Sequence, residues 1–468
     1  MNAQPRINSL SHPEFCGRIG FARAEITPPP GIYARLWGSA KHDIAEGVHQ
    51  PMLATCMILA SEKTGTWLVL IALDLIALWQ EEVDRIRSAL MGQFGLQPQQ
   101  LMLHVSHTHS SPNLSRRYAD RPGGQLIAPY LDSLPDRLGA VVAAARADLF
   151  RGTLTWGYGT CGLAFNRDAL DPASGRGVCG LNPATPADHT LLVGRAVDSA
   201  GRIRGVIVNY ACHPVSLGGA NKLLSPDYVG PMRALVERET GVTCLFLHGA
   251  SGNLTPRRSY EAVTEAAEQN GRELGFAALA TFSALLPPGR SLDYRGIEES
   301  GTALGVWTTS DKVDVSELLE ADILYARLQL KQFPPREQIL AELKVTKERY
   351  LIERLDRALA MRDRIGSNTV GTLLVTLWRV GEAFLVATTG EPYSEFQVAL
   401  RNRFPDSAVA VLNLTNGATS YLPDAAAYGT DVYPVRVTEF ASGCLEQTIE
   451  QTSNAMRLLQ KRDYPGPT

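Results

Sequence analysis

The sequence has no charge excess and no cysteine pattern that would define its partners or its chemistry. Its 45 lysine and arginine residues face 48 aspartate and glutamate residues, and the formal net charge is -3. Because this balance gives no broad attraction to polyanions, we expect no nucleic-acid partner. The seven cysteines are odd in number, widely spaced and nowhere form a CxxC pair. This pattern indicates reduced thiols rather than a disulfide framework or a thiolate zinc site.

Long apolar runs are also missing. The most apolar segment, TWLVLIALDLIALW, carries Asp74 in its middle and is shorter than the roughly 20 residues that span a bilayer. The first twenty residues lack the apolar core of about 7–15 residues that a secretory signal needs. We therefore expect a cytoplasmic protein without a transmembrane segment.

Short apolar, β-branched runs alternate with amphipathic helical patterns. The runs typical of buried strands are TWLVLIALDL, LMLHVS, GVIVNYAC, TCLFLHGA, TLLVTLWRV, AFLVATT and AVAVLNLT. Stretches such as EEVDRIRSALMGQF lie between several of them and predict helices. The alternation predicts an α/β fold of mixed sheets covered by helices.

Residues 313–365 carry charged, helical patterns that are interrupted by Pro334 and Pro335. We interpret this stretch as a helical hairpin inserted into the C-terminal part of the α/β body. The segment LPPGRSLDYRGIEESG marks a seam, so that residues 1–290 form the N-terminal part of one domain and residues 291–468 complete it. The hairpin could serve homo-oligomerisation or pack on its own core, and the sequence leaves both open.

Histidine is scarce, yet three of the nine histidines lie within the stretch LMLHVSHTHSSP. His107 and His109 are two residues apart, so an extended chain points both rings to the same side. Such a pair can share one metal, or one ring can bind metal while the other moves protons. A buried, hydrogen-bonded structural histidine is the alternative, and we expect that role for His104.

Other strands are also followed by polar loops. His213 follows GVIVNYAC, and Glu391 follows AFLVATTG. Ligand sites in covered α/β sheets lie beyond the carboxyl ends of strands, so these loops could converge. Two histidines and a carboxylate suit zinc, which lowers the pKa of its bound water to about 7 and supports amide or ester hydrolysis. Each residue taken alone fits an ordinary structural role equally well.

An ordered series of motifs across roughly residues 18–450 resembles the neutral/alkaline non-lysosomal ceramidases, zinc amidases that hydrolyse the amide bond of ceramide. The series is ARAEITPPPG, GVHQPMLATCMIL, LDLIAL, SHTHSSP (similar to the family's THTHSGP), FNRD, NYACHPVSLG, SPDYVG, GASGNLTPR, GEPYSEF and YLPDAAAYGTDVY. The resemblance implies a catalytic domain, and we expect it here without the immunoglobulin-like domain that follows it in ceramidases.

The resemblance also implies a set of zinc ligands, namely His107, His213, Glu391 and Tyr421. The tyrosine enters through the resemblance alone, because the ordinary protein ligands of zinc are Cys, His, Asp and Glu.

Further roles follow from the same resemblance. His109 would handle protons beside the metal, a role that suits an imidazole. Arg167 of FNRD, with Tyr428 and Tyr433, would surround the scissile carbonyl and stabilise a developing oxyanion. Thr255 stands where the family's GDVSPN-like motif has a serine, and we assign it to substrate binding.

Two arginine pairs flank these motifs, Arg116 with Arg117 and Arg257 with Arg258. They are either solvated surface residues or a recognition site for an acidic substrate. In the second hypothesis, Arg116 or Arg257 binds a substrate carboxylate or phosphate bidentately.

The leading function is therefore a zinc-dependent amidase acting on a small N-acyl compound, of which ceramide is one candidate. One alternative is a serine hydrolase that uses Ser251 of HGASGN, although this stretch lacks the GxSxG elbow. The other alternative is a catalytically silent scaffold that keeps the fold and binds partners through the 313–365 insertion.

Overall fold

The computed structural model describes residues 8–312 and 315–461. Its strands, in chain order, are β1 (Ser9–Ser11), β2 (Glu14–Glu25), β3 (Gly47–Val48), β4 (Leu53–Ala60), β5 (Trp67–Leu73), β6 (Leu101–Val105), β7 (Phe150–Thr160), β8 (Ala164–Asn166), β9 (Asp168–Leu170), β10 (Gly177–Cys179), β11 (Thr190–Asp198), β12 (Ile203–Tyr210), β13 (Leu223–Leu224), β14 (Cys244–His248), β15 (Leu254–Pro256), β16 (Arg290–Glu299), β17 (Ala303–Asp311), β18 (Leu319–Gln329), β19 (Val370–Val380), β20 (Ala383–Thr388), β21 (Glu391–Pro392), β22 (Ala408–Leu412) and β23 (Tyr421–Leu422).

The α-helices of the described residues are α1 (Gln80–Phe94), α2 (Ile127–Ala147), α3 (Val229–Thr240), α4 (Glu265–Ser283), α5 (Arg336–Val345), α6 (Arg349–Ile365), α7 (Glu395–Arg403), α8 (Tyr433–Val437) and α9 (Cys444–Lys461). Short 3₁₀ helices lie at Pro98–Gln100, Arg116–Tyr118, Gly124–Leu126 and Ala426–Gly429. None of the helices in the described ranges is long and apolar enough to cross a bilayer.

An eight-stranded sheet in the order β14-β12-β11-β7-β2-β4-β5-β6 forms the centre of the molecule. Its neighbours are antiparallel except β12 with β14 and β5 with β6, which are parallel. Although β14 and β6 stand at opposite ends of this order, the backbone N–H of His248 on β14 donates to Nε2 of His104 on β6 at 2.9 Å. The sheet therefore curls until its two edges meet.

A second sheet, in the order β18-β19-β20-β22, packs against one face of the first. Their shared core includes Phe15 and Trp156 from the large sheet and Trp378 and Leu385 from the small one. Helices α1 and α2, and separately α3 and α4, cover the other face of the large sheet, while α7 and α9 cover the small sheet. The predicted α/β fold of mixed sheets covered by helices is confirmed.

Burial on both faces explains why the strands read as continuous apolar runs. On β4, Cys56 and Ile58 face the helices. The alternate residues Met57 and Leu59 face the second sheet. Alternate residues point to opposite faces of a strand, and here both faces are covered by protein. Continuous hydrophobicity is the expected result.

The predicted insertion is only partly helical. Helices α5 and α6 form the hairpin, but residues 319–329 form β18, which pairs antiparallel with β19 along its whole length. On β18, Ala326 and Leu328 are buried while Arg327 between them is exposed, which is the alternation of a strand. The helical interpretation of this part was wrong because charged residues on an edge strand also fit a helical pattern. Residues 313 and 314 lie outside the described residues, and the seam at 290/291 stays a prediction.

Asp74, the charge within the most apolar segment, lies in a buried ion pair that links the large sheet to α3. One of its carboxylate oxygens is 2.6 Å from Nη2 of Arg233, and both side chains are almost fully buried. The same oxygen accepts a hydrogen bond from the backbone N–H of Leu53 at 2.9 Å. The carboxylate is therefore fully partnered in an apolar surrounding.

Replacing Asp74 with alanine should lower the free energy of unfolding by about 3–5 kcal/mol, because Arg233 would remain buried without a counter-charge. The matched control is Asp132→Ala, which removes an exposed partner of Arg116 and should leave the free energy of unfolding nearly unchanged. Urea titration followed by tryptophan fluorescence measures both values. Equal losses in the two variants would contradict the assignment.

Candidate functional site

Loops after β6 and β12 bring three histidines together. The ligand atoms of His107, His109 and His213 all lie within 4.8 Å of one another. Nε2 of His107 and Nε2 of His109 are 3.2 Å apart. His107 has a φ of 64°, in the left-handed region that residues other than glycine rarely adopt. Backbone strain of this kind concentrates at functional sites, where the surrounding structure enforces it.

Glu391 and Tyr421 join this cluster from the second sheet. The two-residue strands β21 and β23 pair in parallel and set Glu391 opposite Tyr421. Oε2 of Glu391 lies 3.2 Å from Nε2 of His107 and 3.3 Å from Nε2 of His213. The Tyr421 hydroxyl is 3.5 Å from the same His213 nitrogen. The structure thus brings together His109 and the four residues predicted as metal ligands.

Backbone carbonyls fix the tautomers of two of the histidines. Nδ1 of His107 is 2.7 Å from the carbonyl oxygen of Ile76, and Nδ1 of His213 is 2.7 Å from that of Ser251. A carbonyl only accepts, so each Nδ1 carries the hydrogen and, in a neutral ring, each Nε2 presents a lone pair. Both lone pairs point towards Oε2 of Glu391, a buried oxygen for which no hydrogen-bond partner is found.

Electron-rich atoms arranged in this way repel one another unless a proton or a cation lies among them. Burial, followed by the nearby charge of Arg167, lowers the pKa of His213 to about 3, which opposes protonation of that ring. Burial, followed by the charge of His107, also lowers the pKa of His109 well below its usual range. Neutral imidazoles and a carboxylate are the forms that bind a metal. The donor set therefore fits a metal cation.

Arg167 lies beside these ligands. Its Nε and Nη2 donate to the carbonyl oxygen of Gly252 at 3.1 Å and 2.8 Å, and its guanidinium carbon is 5.5 Å from the centre of the Tyr421 ring. The Tyr433 ring centre is 5.9 Å from that of Tyr421. A Cβ at Gly252 would lie 2.7 Å from the backbone oxygen of Glu391, so glycine permits this close approach.

Tyr428 lies elsewhere. Its hydroxyl donates to the carbonyl oxygen of Phe440 at 2.8 Å and is 3.3 Å from Sγ of Cys444, against the core of the small sheet. The structure therefore corrects the expectation that this hydroxyl faces the scissile carbonyl. Thr255 is buried on β15 and its hydroxyl has no hydrogen-bond partner among the described residues. Its substrate-binding role stays a prediction.

The two arginines predicted to bind substrate are engaged with the protein's own carboxylates. Nε of Arg116 lies 2.5 Å from Glu82, and its Nη2 lies 2.6 Å from Asp132. Nη2 of Arg257 lies 3.0 Å from Glu273. These are surface ion pairs, so the alternative of solvated surface arginines is the one that the structure favours. Recognition of an acidic substrate by either residue stays a prediction.

Sequence reasoning missed two aromatic residues beside His109. Nε1 of Trp37 donates to the carbonyl oxygen of His109 at 3.3 Å, and the two ring centres are 5.3 Å apart. The ring centre of Tyr260 lies 5.7 Å from that of Trp37. Both come from irregular segments without periodicity, and nothing in their sequence surroundings marked them.

A fourth histidine, His248, was also missed although it ends the apolar strand β14 and so carried the same signal as the others. Its ring centre is 5.8 Å from that of His107. Nε2 of His248 lies 2.8 Å from Oγ of Ser251, which in turn is 3.1 Å from Nδ1 of His213. Ser251 is fully buried. Its hydroxyl therefore lies behind the histidines rather than in an open cleft, which disfavours a serine nucleophile.

His104 has the structural role expected from the sequence. Thr415 donates its hydroxyl hydrogen to Asn413 and so accepts from Nδ1 of His104 at 2.9 Å. Nε2 of His104 accepts from the backbone of His248. The ring is fully buried, and burial lowers its pKa to about 3. The prediction of a buried, hydrogen-bonded histidine is confirmed.

A curled mixed sheet with a buried cluster of histidines and a glutamate at its strand ends defines a candidate metalloprotein of the α/β class. Residues 18–246 match the family model described as neutral/alkaline non-lysosomal ceramidase, N-terminal. The resemblance of this part of the chain to the family is confirmed.

Individual proteins are also similar to this chain. The neutral ceramidase of Pseudomonas aeruginosa is 25% identical over 275 residues, which cover 56% of this chain and 41% of that protein. The solved structure of a ceramidase complexed with C2 superposes with a TM-score of 0.71 at 17% identity, over 98% of this chain and 77% of that one. A crystal structure of the Pseudomonas aeruginosa neutral ceramidase gives 0.69 at 17% identity, over 98% and 76%. The sequence match thus spans less than half of the curated relative.

His104 should make stability depend on pH. Its pKa is lower in the folded state, about 3, than in an unfolded chain, about 6.5. Between these values only the unfolded chain binds the proton, so the free energy of unfolding falls as the pH drops through this window, by up to about 1.4 kcal/mol per pH unit. In His104→Gln the slope measured by denaturant titration between pH 6 and 4 should be shallower by that amount. Parallel curves for the two proteins would contradict this.

Proposed function

We propose that the protein is a zinc-dependent hydrolase that cleaves the amide bond of an N-acyl compound. The observation that carries the proposal is the position of Oε2 of Glu391, buried and within 3.3 Å of two imidazole nitrogens whose partner nitrogens are hydrogen-bonded to carbonyls. Kinship with the ceramidases supports the amide as the bond attacked.

His107, His213 and Glu391 would hold the metal, with Tyr421 beside them. Two histidines and one carboxylate are a zinc set that leaves a position for water or substrate. When bound, zinc lowers the pKa of a water molecule to about 7 and polarises a carbonyl oxygen. The carbonyls of Ile76 and Ser251 orient the two imidazoles and make their Nε2 atoms stronger metal ligands.

His109 would move the proton. Its ring nitrogen Nε2 lies at the cluster, and the low pKa caused by burial keeps the ring neutral, so that its hydrogen-free nitrogen can accept a proton from the attacking water. The same nitrogen would then deliver the proton to the leaving amine. Trp37 holds this residue by a hydrogen bond to its carbonyl and by ring contact.

Arg167 would stabilise the negative charge that develops on the amide oxygen. Two of its nitrogens are fixed on the Gly252 carbonyl, which sets the guanidinium in place before substrate binds. Burial alone would lower the pKa of Arg167. The interaction with Tyr421 is one of those that nevertheless raise this pKa well above its usual value, so the group stays charged. Preorganised donors of this kind each contribute about a hundred- to a thousandfold in rate.

The first test is metal content after exhaustive dialysis. The native chain should retain about one zinc, and His107→Ala, His213→Ala and Glu391→Gln should lose it, because the first two each remove a ligand and the third removes the negative charge of the ligand oxygen. His189→Ala is the matched control, since His189 bonds to the carbonyl of Ala164 and is not one of the clustered histidines. Metal retained by all three site variants, with native-like circular dichroism, would refute the site.

The second test is release of amine from a panel of N-acyl amides by the zinc-loaded protein. Hydrolysis should stop on chelation, return with zinc, and be absent from the three site variants. Activity that survives chelation but is lost in Ser251→Ala would favour the serine hydrolase. Bound zinc without hydrolysis of any member of the panel would favour the scaffold.

A further inference from the structure

A cavity of about 620 Å³ lies beside the histidine cluster. Trp37 and Tyr260 line it, and the ring centre of Trp37 is 5.3 Å from that of His109. A volume of this size falls within the range of sites for small ligands. A group bound in the cavity would therefore lie one aromatic ring away from the residue that moves the proton.

The charged groups lining this cavity are all basic. Lys41, His42 and Lys222 contribute to its wall, and no acidic side chain does so within the described part of the chain. Burial, followed by the charge of Lys222, lowers the pKa of His42, so the positive charge at neutral pH rests on the two lysines. Cys179, another lining residue, lies within the electrostatic influence of Arg167. The lining of the cavity therefore carries two lysines and lies near the guanidinium of Arg167.

Lys222 has a competing partner at the rim. Its Nζ lies 2.7 Å from an oxygen of Glu46, and both side chains are about half exposed. An exposed pair of this kind is weak, so an anion in the cavity can compete for the ammonium group. The neighbouring Lys41 is exposed.

We propose that this cavity binds a carboxylate of the substrate, so that the preferred N-acyl compound is acidic. The inference rests on the proposed function and names its substrate class. Positive charges concentrated in a cleft raise the local concentration of an anionic ligand and orient it. A neutral amide with two long alkyl chains would instead place apolar surface against two ammonium groups and lose their hydration. Lys41 and Lys222 thus take the part that the sequence suggested for Arg116 and Arg257.

The test compares three soluble probes. N-octanoylglycine and N-octanoylethanolamine share the acyl chain and differ in a carboxylate against a hydroxymethyl group on the amine side. The monoamide of succinic acid with octylamine carries its carboxylate on the acyl side, and shows which side of the amide faces the lysines. The native protein should have a lower KM for at least one acidic probe than for the neutral one.

Replacing the lysines should change the KM of the preferred acidic probe and leave the KM of the neutral probe unchanged. Lys41→Met and Lys222→Met should each raise its KM about three- to tenfold, because each removes one charge near the carboxylate. Lys41→Arg should restore the native value. Glu46→Gln should act in the opposite direction and lower KM, since it frees Lys222. Lys63→Met, which removes an exposed lysine that pairs with Glu317, is the matched control and should change nothing.

Calorimetric binding of the same probes to the Glu391→Gln variant, checked for native circular dichroism, gives a readout independent of turnover. Lysine-dependent binding of an acidic probe without hydrolysis of any probe would support the cavity and refute the proposed function. Hydrolysis of the neutral probe, with no effect of the lysine variants on either acidic probe, would support the function and overturn the cavity's role. Equal affinity for all three probes would also overturn it.

Discussion

The carboxylate of Glu391 faces the Nε2 atoms of two imidazoles inside a buried pocket, and this arrangement constrains everything around it. Each imidazole is held by a carbonyl at its opposite nitrogen, so neither ring can turn away without losing a buried hydrogen bond. The glutamate is fixed by the pairing of β21 with β23. A single cation could bind all three side chains at once, so the cluster fits a metal site.

The scaffold serves this constraint by bringing distant strand ends together. The curled sheet meets itself through His104 and His248, and Asn416 reinforces the contact from the small sheet by accepting from the backbone N–H of Leu103 at 2.8 Å. Because the ligands come from both sheets, the site exists only when the two sheets are packed. Stability of the shared core and integrity of the site are therefore coupled, and a core variant should disturb both.

The sequence predicted the part of this arrangement that follows from strand ends. Buried apolar runs followed by His107, His213 and Glu391 indicated one converging pocket, because loops beyond covered strands share a small volume. Tyr421 needed the resemblance to a family, since a phenol is not an ordinary zinc ligand. Residues such as Trp37 reach the site through irregular backbone, whose course depends on tertiary contacts that no local pattern encodes. The ion pairs of Arg116 could not be predicted for the same reason, because its partners Glu82 and Asp132 are distant in sequence.

The central claim is that one metal ion lies among the side chains of His107, His213 and Glu391. The most direct measurement is an anomalous difference map from crystals of the zinc-loaded protein, collected on both sides of the zinc absorption edge. The account predicts one strong peak about 2.0–2.2 Å from Nε2 of both histidines and from a carboxylate oxygen of Glu391. A map without a peak at this position, or with its strongest peak at other side chains, would contradict it.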